Sequence, residues 1–202
     1  MKNSNSLLQD FLHWEKTCPE KDFLRQHLNG KLEVLSYGES GDQIRRVAKA
    51  IVDKKLPAKS KIGLMSNNCS HWIMCDLAII MSGHISVPIY PSLQADSIKS
   101  ILNHSESKLL FAGKLDNYED KKNGFQNIPV IGIEKYGITS SETWESLVDQ
   151  NERLEEITFN APDDLITIIY TSGTTGNPKG VMHSIANFSN GVRNLFHDLK
   201  LS

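Results

Sequence analysis

Cysteine is scarce, and its pattern excludes two classes of protein. Cys18, Cys69 and Cys75 are odd in number and show no C-x-x-C or Cys/His spacing suited to zinc, which argues against a disulfide framework and a structural metal and for a reducing compartment. They read as buried free thiols. A dominant charge is lacking as well: 22 Lys and Arg stand against 24 Asp and Glu, a formal net charge of −2. That balance makes no field to gather nucleic acid, and the densest basic stretch, Lys54, Lys55, Lys59 and Lys61, brackets Pro57 as a solvated loop. Long apolar runs are missing. The longest uninterrupted one, Leu77 to Met81, is far short of the roughly 20 residues needed to cross a bilayer. Asn3-Ser4-Asn5-Ser6, followed by a segment broken at Gln9 and Asp10, has no apolar heart of a signal peptide. A soluble, cytoplasmic protein without a transmembrane segment is expected. Its 202 residues suffice for one large domain or two small ones, with a core that needs no staple.

What is present is an alternation of short apolar runs and amphipathic stretches. Leu7, Leu8, Phe11 and Leu12 recur at helical spacing and predict a short helix before Cys18-Pro19. Ile44, Val47, Ala48, Ile51 and Val52 predict a second helix, started by Ser40 and Gln43 at capping-box spacing. The pattern then reads strand at Ile62–Met65, helix at about Ser70–Met81 and strand at Ile85–Tyr90. A further cycle places a helix at Ser97–Asn103 and strands at Leu109–Ala112 and Ile128–Ile133, with Lys114–Asn127 as polar surface. Trp144, Leu147 and Val148 mark another helix. This is an α/β arrangement, a mostly parallel sheet with helices on both faces. No internal repeat or low-complexity tract interrupts it.

The last unit carries the chemistry. Leu165-Ile166-Thr167-Ile168-Ile169-Tyr170 is a β-branched run suited to a central strand. Phe188, Val192, Leu195, Phe196 and Leu199 mark a helix beyond it. Between them "YTSGTTGNPKG", Tyr170–Gly180, is expected to form a strand-to-helix turn at the carboxyl edge of the sheet, where ligands of parallel sheets lie. Gly173, Gly176 and Gly180 let the backbone come close to a ligand with its N–H groups turned inward. Thr171, Ser172, Thr174 and Thr175 add hydroxyls, and Lys179 adds a cation. A surface made of donors matches a polyphosphate. A flexible Gly/Ser linker is the plain alternative, but linkers seldom separate a buried strand from an amphipathic helix. The P-loop G-x-x-x-x-G-K-[ST] fails: Pro178 stands at its second glycine and Gly180 at its Ser/Thr.

The stretch Tyr170-Thr171-Ser172-Gly173-Thr174-Thr175-Gly176-Asn177-Pro178-Lys179-Gly180 resembles the phosphate-binding signature of the adenylate-forming superfamily, which includes acyl-CoA synthetases, nonribosomal peptide adenylation domains and beetle luciferases. Ten of its eleven positions match. "SYGESGDQIRRVAKAIVDKKL", "LMSNNCSHWIMCDLAIIMSGHISVPIYPSL" and "APDDLITIIY" extend the likeness along most of the chain, and Val87-Pro88-Ile89-Tyr90-Pro91 is most similar to long-chain fatty acyl-CoA ligases. The resemblance implies the fold of the N-terminal portion of the large AMP-binding domain, and a reaction of ATP, a carboxylic acid and coenzyme A through an acyl-adenylate. It assigns phosphate contacts to Thr171, Ser172, Gly173, Thr174, Thr175, Gly176 and Lys179, with Thr171 as a hydroxyl ligand of Mg2+.

One position departs. Where many relatives carry a histidine shortly after the signature, this chain has Ile185, and His183 lies two positions away; a lone histidine is more often packed or solvated than catalytic. Residues 1–202 are expected to be an incomplete large domain. The family's adenine pocket, magnesium-binding glutamate, ribose-binding aspartate, hinge and C-terminal adenylation lysine have no counterpart here, so the chain is expected to be inactive alone. A stand-alone nucleotide- or diphosphate-binding module and an interaction domain that has lost its ligand are the alternatives.

Overall fold

The computed structural model describes residues 6–171 and 178–198. The first helix, α1 (Leu7–Thr17), starts at a capping box in which the Ser6 hydroxyl accepts from the Gln9 N–H and the Gln9 side chain accepts from the Ser6 N–H. It ends at Cys18, before Pro19, as its sequence predicts. Two antiparallel strands follow, β1 (Asp22–Leu28) and β2 (Lys31–Ser36), which the helical and parallel-strand spacings leave unannounced. Their connection is Asn29-Gly30, with φ of 51° and 76°. Two consecutive positive φ values make the tight turn whose twist matches that of the strands it joins.

The second helix, α2 (Tyr37–Asp53), begins one turn earlier than its expected start. Ser36 and Glu39 close the capping box, Glu39 N–H to Ser36 Oγ at 3.1 Å and Ser36 N–H to Glu39 Oε2 at 2.8 Å. The rival Ser40 is buried inside the helix, and its hydroxyl has no partner.

From there the chain alternates: β3 (Lys61–Met65), α3 (Ser70–Met81), β4 (Ile85–Ile89), α4 (Ala95–His104), β5 (Leu109–Ala112), α5 (Tyr118–Lys121), β6 (Val130–Gly132), β7 (Glu142–Thr143) and α6 (Trp144–Gln150). Lys114–Asn127 is more than surface: Phe125 is buried there, and Gly124 lies so close to α4 that an added Cβ would stand 2.5 Å from the Ala95 carbonyl. The final elements are β8 (Leu165–Thr171), β9 (Lys179–Ser184) and α7 (Ile185–Asp198).

The seven-stranded sheet runs β7-β6-β5-β3-β4-β8-β9. All neighbouring pairs are parallel except β8–β9. Strands buried on both faces need apolar residues in both directions, and the two faces carry separate cores. One, built on Ile62, Leu64, Phe111 and Ile131, packs against α1, α2, α3 and α6 through residues such as Phe11, Ile44, Met74 and Trp144. The other, with Val87, Ile89 and Leu110, packs against Ile98, Ile101 and Leu102 of α4. The expected architecture, a mostly parallel sheet covered on both sides, is the observed one.

Candidate functional site at the carboxyl edge of the sheet

The expected strand-to-helix turn is instead a connection between two antiparallel strands. After Pro178 the chain turns back along β8, pairing Thr171 with Lys179, Tyr170 with Gly180, Ile169 with Val181 and Ile168 with Met182. Lys179–Ser184 is long enough, and apolar enough at Val181 and Met182, to satisfy the outer backbone groups of β8 in a ladder. The helix starts only at Ile185. Among the described residues, no helix N-terminus therefore follows β8 directly. Among the residues expected to mark that helix, Leu199 lies outside the described residues.

Thr171 is the exposed last residue of β8 and Lys179 the exposed first residue of β9. The structure brings these two site residues together across the ladder. Ser172, Gly173, Thr174, Thr175 and Gly176 lie outside the described residues.

Neighbouring loops define what remains open. Ser66 Oγ, just past β3, accepts from the Lys114 N–H at 2.9 Å, and the Asn67 N–H donates to the Lys114 carbonyl at 2.8 Å. The loops after β3 and β5 are thereby locked to each other. Beside β8 the edge is different. Ser86 of β4 is level with Thr167 of β8, so Tyr90 and Thr171, each four residues further on, leave the sheet side by side. Tyr90 is 58% exposed. Its sequence signal is that of a strand end, within Ile85–Tyr90 and Val87–Pro91.

The signature's ends are clamped. Tyr170 is 3% exposed, its ring lies over Gly180, and its hydroxyl is 2.7 Å from His104 Nδ1. Burial pushes the phenol above its ordinary pKa, with a small opposing pull from Ser105. Gly180 is required by packing: a Cβ there would sit 2.8 Å from Ile168 Cγ2 and 3.1 Å from the Tyr170 ring. Gly180→Ala is expected to destabilise the protein by about 1–2 kcal/mol, read as a lower urea midpoint with an unchanged slope; an unaltered midpoint would show that the ring has room to move.

On the other face of β8 lies a polar flaw. Ser86 and Thr167 are register partners and project from one face. Both are buried, and neither hydroxyl has a hydrogen bond of full geometry. Burial raises the Asp76 carboxyl of α3 from 3.8 to about 6, and the nearby Ser86 hydroxyl draws it slightly back.

His183 sits half-buried on β9 opposite Thr167, its ring 6.3 Å from that of Phe188. It is a packed side chain. Ile185 is buried in the core shared with α1, α2 and α3. No cluster of three His, Cys, Asp or Glu that could hold a metal exists among the described residues.

A family model described as AMP-binding enzyme matches residues 11–201. The chain belongs to the AMP-binding enzyme family. Among its relatives, fatty acyl-CoA synthetase A of Dictyostelium discoideum is 30% identical over 80% of this chain and 26% of its own length. Peroxisomal long chain acyl-CoA synthetase 6 of Arabidopsis thaliana is 30% identical over 78% and 24%. The chain thus spans about a quarter of the length of these curated relatives. Among solved structures, a long-chain-fatty-acid-CoA ligase of Archaeoglobus fulgidus superposes with a TM-score of 0.81 at 21% identity, covering 98% of this chain and 40% of that one. A fatty acyl-adenylate ligase of L. pneumophila, solved with acyl adenylate and pyrophosphate, gives 0.76 at 21% identity, covering 98% and 33%. These likenesses establish the fold of an AMP-binding enzyme's N-terminal part. No helix among the described residues is long and apolar enough to cross a membrane.

Proposed function

We propose that residues 1–202 are the first part of the large domain of an ATP-dependent acid–thiol ligase that joins a fatty acid to coenzyme A. The observation that carries this reading is the placing of Thr171 and Lys179, paired and exposed, at the carboxyl edge of a parallel sheet, where they flank a stretch of glycines and hydroxyls. The names of the relatives supply the acid and the thiol.

In the first half-reaction a carboxylate oxygen attacks the α-phosphorus of ATP, and the bond to the bridging oxygen breaks to release diphosphate. In the second, the thiol of coenzyme A attacks the acyl carbon, and AMP leaves. Hydroxide is a poor leaving group and AMP a good one, which is why adenylation comes first. The loop's part is to hold the β- and γ-phosphates. Ser172, Thr174 and Thr175 donate hydroxyls, Gly173 and Gly176 expose N–H groups, and Lys179 balances the charge that builds on the departing diphosphate. Thr171 would hold Mg2+ through its hydroxyl, and the ion would supply charge that screens the phosphates. Turnover is assigned to a longer chain that includes the adenine pocket and the adenylation lysine; this chain alone is expected to be inactive.

Expression of the whole gene and an assay of ATP–pyrophosphate exchange over a panel of carboxylic acids test the reading. Long-chain acids should drive exchange far above the acid-free blank. If no acid does so, or the reading frame stops at Ser202 without the remaining motifs, a non-catalytic diphosphate-binding or interaction module takes its place.

A further inference from the structure

Resting on that reading, we propose that His104 is a positioning residue for the phosphate loop and acts through Tyr170. Tyr170 is the last buried residue of β8, directly before Thr171. Its hydroxyl is 2.7 Å from His104 Nδ1, and the two rings meet edge to face at 5.7 Å and 90°. A phenol this deeply buried needs a polar partner, and the histidine supplies it.

The histidine's own position is well fixed. It is the last residue of α4, where the Ser105 N–H donates to the Ile101 carbonyl at 2.9 Å and Ser105 Oγ shares a hydrogen with Ser107 Oγ at 2.7 Å. The strand it holds is less secure. Parallel pairing of β8 with β4 runs through Ser86 and Thr167, three residues short of Tyr170. Past that point the register partners of β8 are those of β9, the outermost strand of the sheet, and this ribbon is held inward by the packing of Ile168 and Tyr170 with Val87 and Ile89. The Tyr170–His104 bond ties this ribbon to α4, and Gly180, level with Tyr170, leaves room for the ring to do so.

The residues so anchored lie next to Thr171 and Lys179, the two ends from which the loop departs. A hydrogen bond remote from the phosphates thus fixes the spacing of the groups that meet them. Without it, ordering the ribbon must be drawn from the binding energy of the triphosphate.

The test uses the full-length protein and measures exchange as a function of ATP and of fatty acid separately. His104→Ala and Tyr170→Phe should each raise the KM for ATP about fivefold to tenfold, with the KM for the acid within about twofold. Asn places a polar atom near the site of Nδ1, so His104→Asn should recover most of the loss. The double variant should be no worse than either single one, because both remove the same bond. In the 202-residue chain itself, His104→Ala should hasten amide exchange at Thr171 and Gly180 while leaving β3 unchanged. The proposal is overturned by an unchanged KM for ATP, by additive effects in the double variant, or by equal rises in both KM values with a falling thermal midpoint. Lys179→Ala measured alongside separates the two ideas. If it slows exchange while the His104 and Tyr170 variants do not, only the positioning role falls; if none of them matters, the phosphate-loop reading falls with it.

Discussion

Lys179→Ala is expected to slow fatty-acid-dependent ATP–pyrophosphate exchange by about a hundredfold, with the thermal midpoint nearly unmoved. The magnitude is that of removing one preorganised group that meets developing charge in an acyl- or phosphoryl-transfer site. Lys179 is the signature's one cation. On the proposed reading its charge meets the departing diphosphate, and among the described residues the chain passes from β8 to β9, not directly into a helix. The side chain is exposed at the start of β9, and removing it opens no cavity, which is why stability should hold. Thr174→Ala removes one neutral donor and should cost less, about tenfold. Exchange at saturating fatty acid, assayed beside a melting curve, checks both; unaltered exchange in the pair would contradict the assignment of the loop.

Asp76→Asn is expected to stabilise the protein at pH 8 and to do nothing at pH 4. Burial raises the Asp76 carboxyl from 3.8 to about 6, so the folded state favours its protonated form. Stability from this group is complete below the unfolded value and drains away as pH climbs through about 6. At roughly 1.4 kcal/mol per pKa unit the ionised form costs about 3 kcal/mol, and the residue's partial contact with solvent discounts this to about 2. Asparagine keeps the shape without the charge, and its amide can donate to the Ser86 hydroxyl, which lies near the Asp76 carboxyl. For a chain of this size the gain at pH 8 is about 4–8 °C in Tm. Glu33, Glu39 and Asp164, whose carboxyls are held below their ordinary values by hydrogen bonds, act in the opposite direction: their contribution is lost as pH falls. The difference between variant and parent isolates Asp76. An Asn variant no more stable at pH 8, with the same pH slope as the parent, would contradict the account.

Elements whose residues carry one unmixed signal were legible in the sequence. Leu109–Ala112 and Ser70–Met81 fall where the apolar runs placed them, because each is bounded by polar or turn residues and buried almost throughout. Where two signals competed, the longer-range one won. Ser36 and Ser40 both stand three residues before a Glu or Gln, and only tertiary packing, which buries Ser40, selects Ser36 as the cap. Asn29-Gly30 is a strong hairpin signal that the alternation of parallel strands and helices obscured. The strand β9 was hidden for a different reason: Val181-Met182-His183-Ser184 is too short to show a period, and its state is decided by the open edge of β8. The chemistry proposed for the signature rests on residue types, glycines, hydroxyls and one lysine in series, whereas its position at the carboxyl edge of the sheet rests on β8 and β9. The contact of His104 with Tyr170 was not, because 66 residues separate them and no local pattern marks the pair.

The central claim is that the segment from Thr171 to Gly180 grips the triphosphate, and hydrogen–deuterium exchange on the full-length protein with and without magnesium ATP tests it most directly. The account predicts that protection within residues 1–202 concentrates on the peptide covering Thr171–Gly180 and is largely lost in Lys179→Ala. Protection elsewhere in those residues, with this peptide exchanging at the same rate in both conditions, would contradict it.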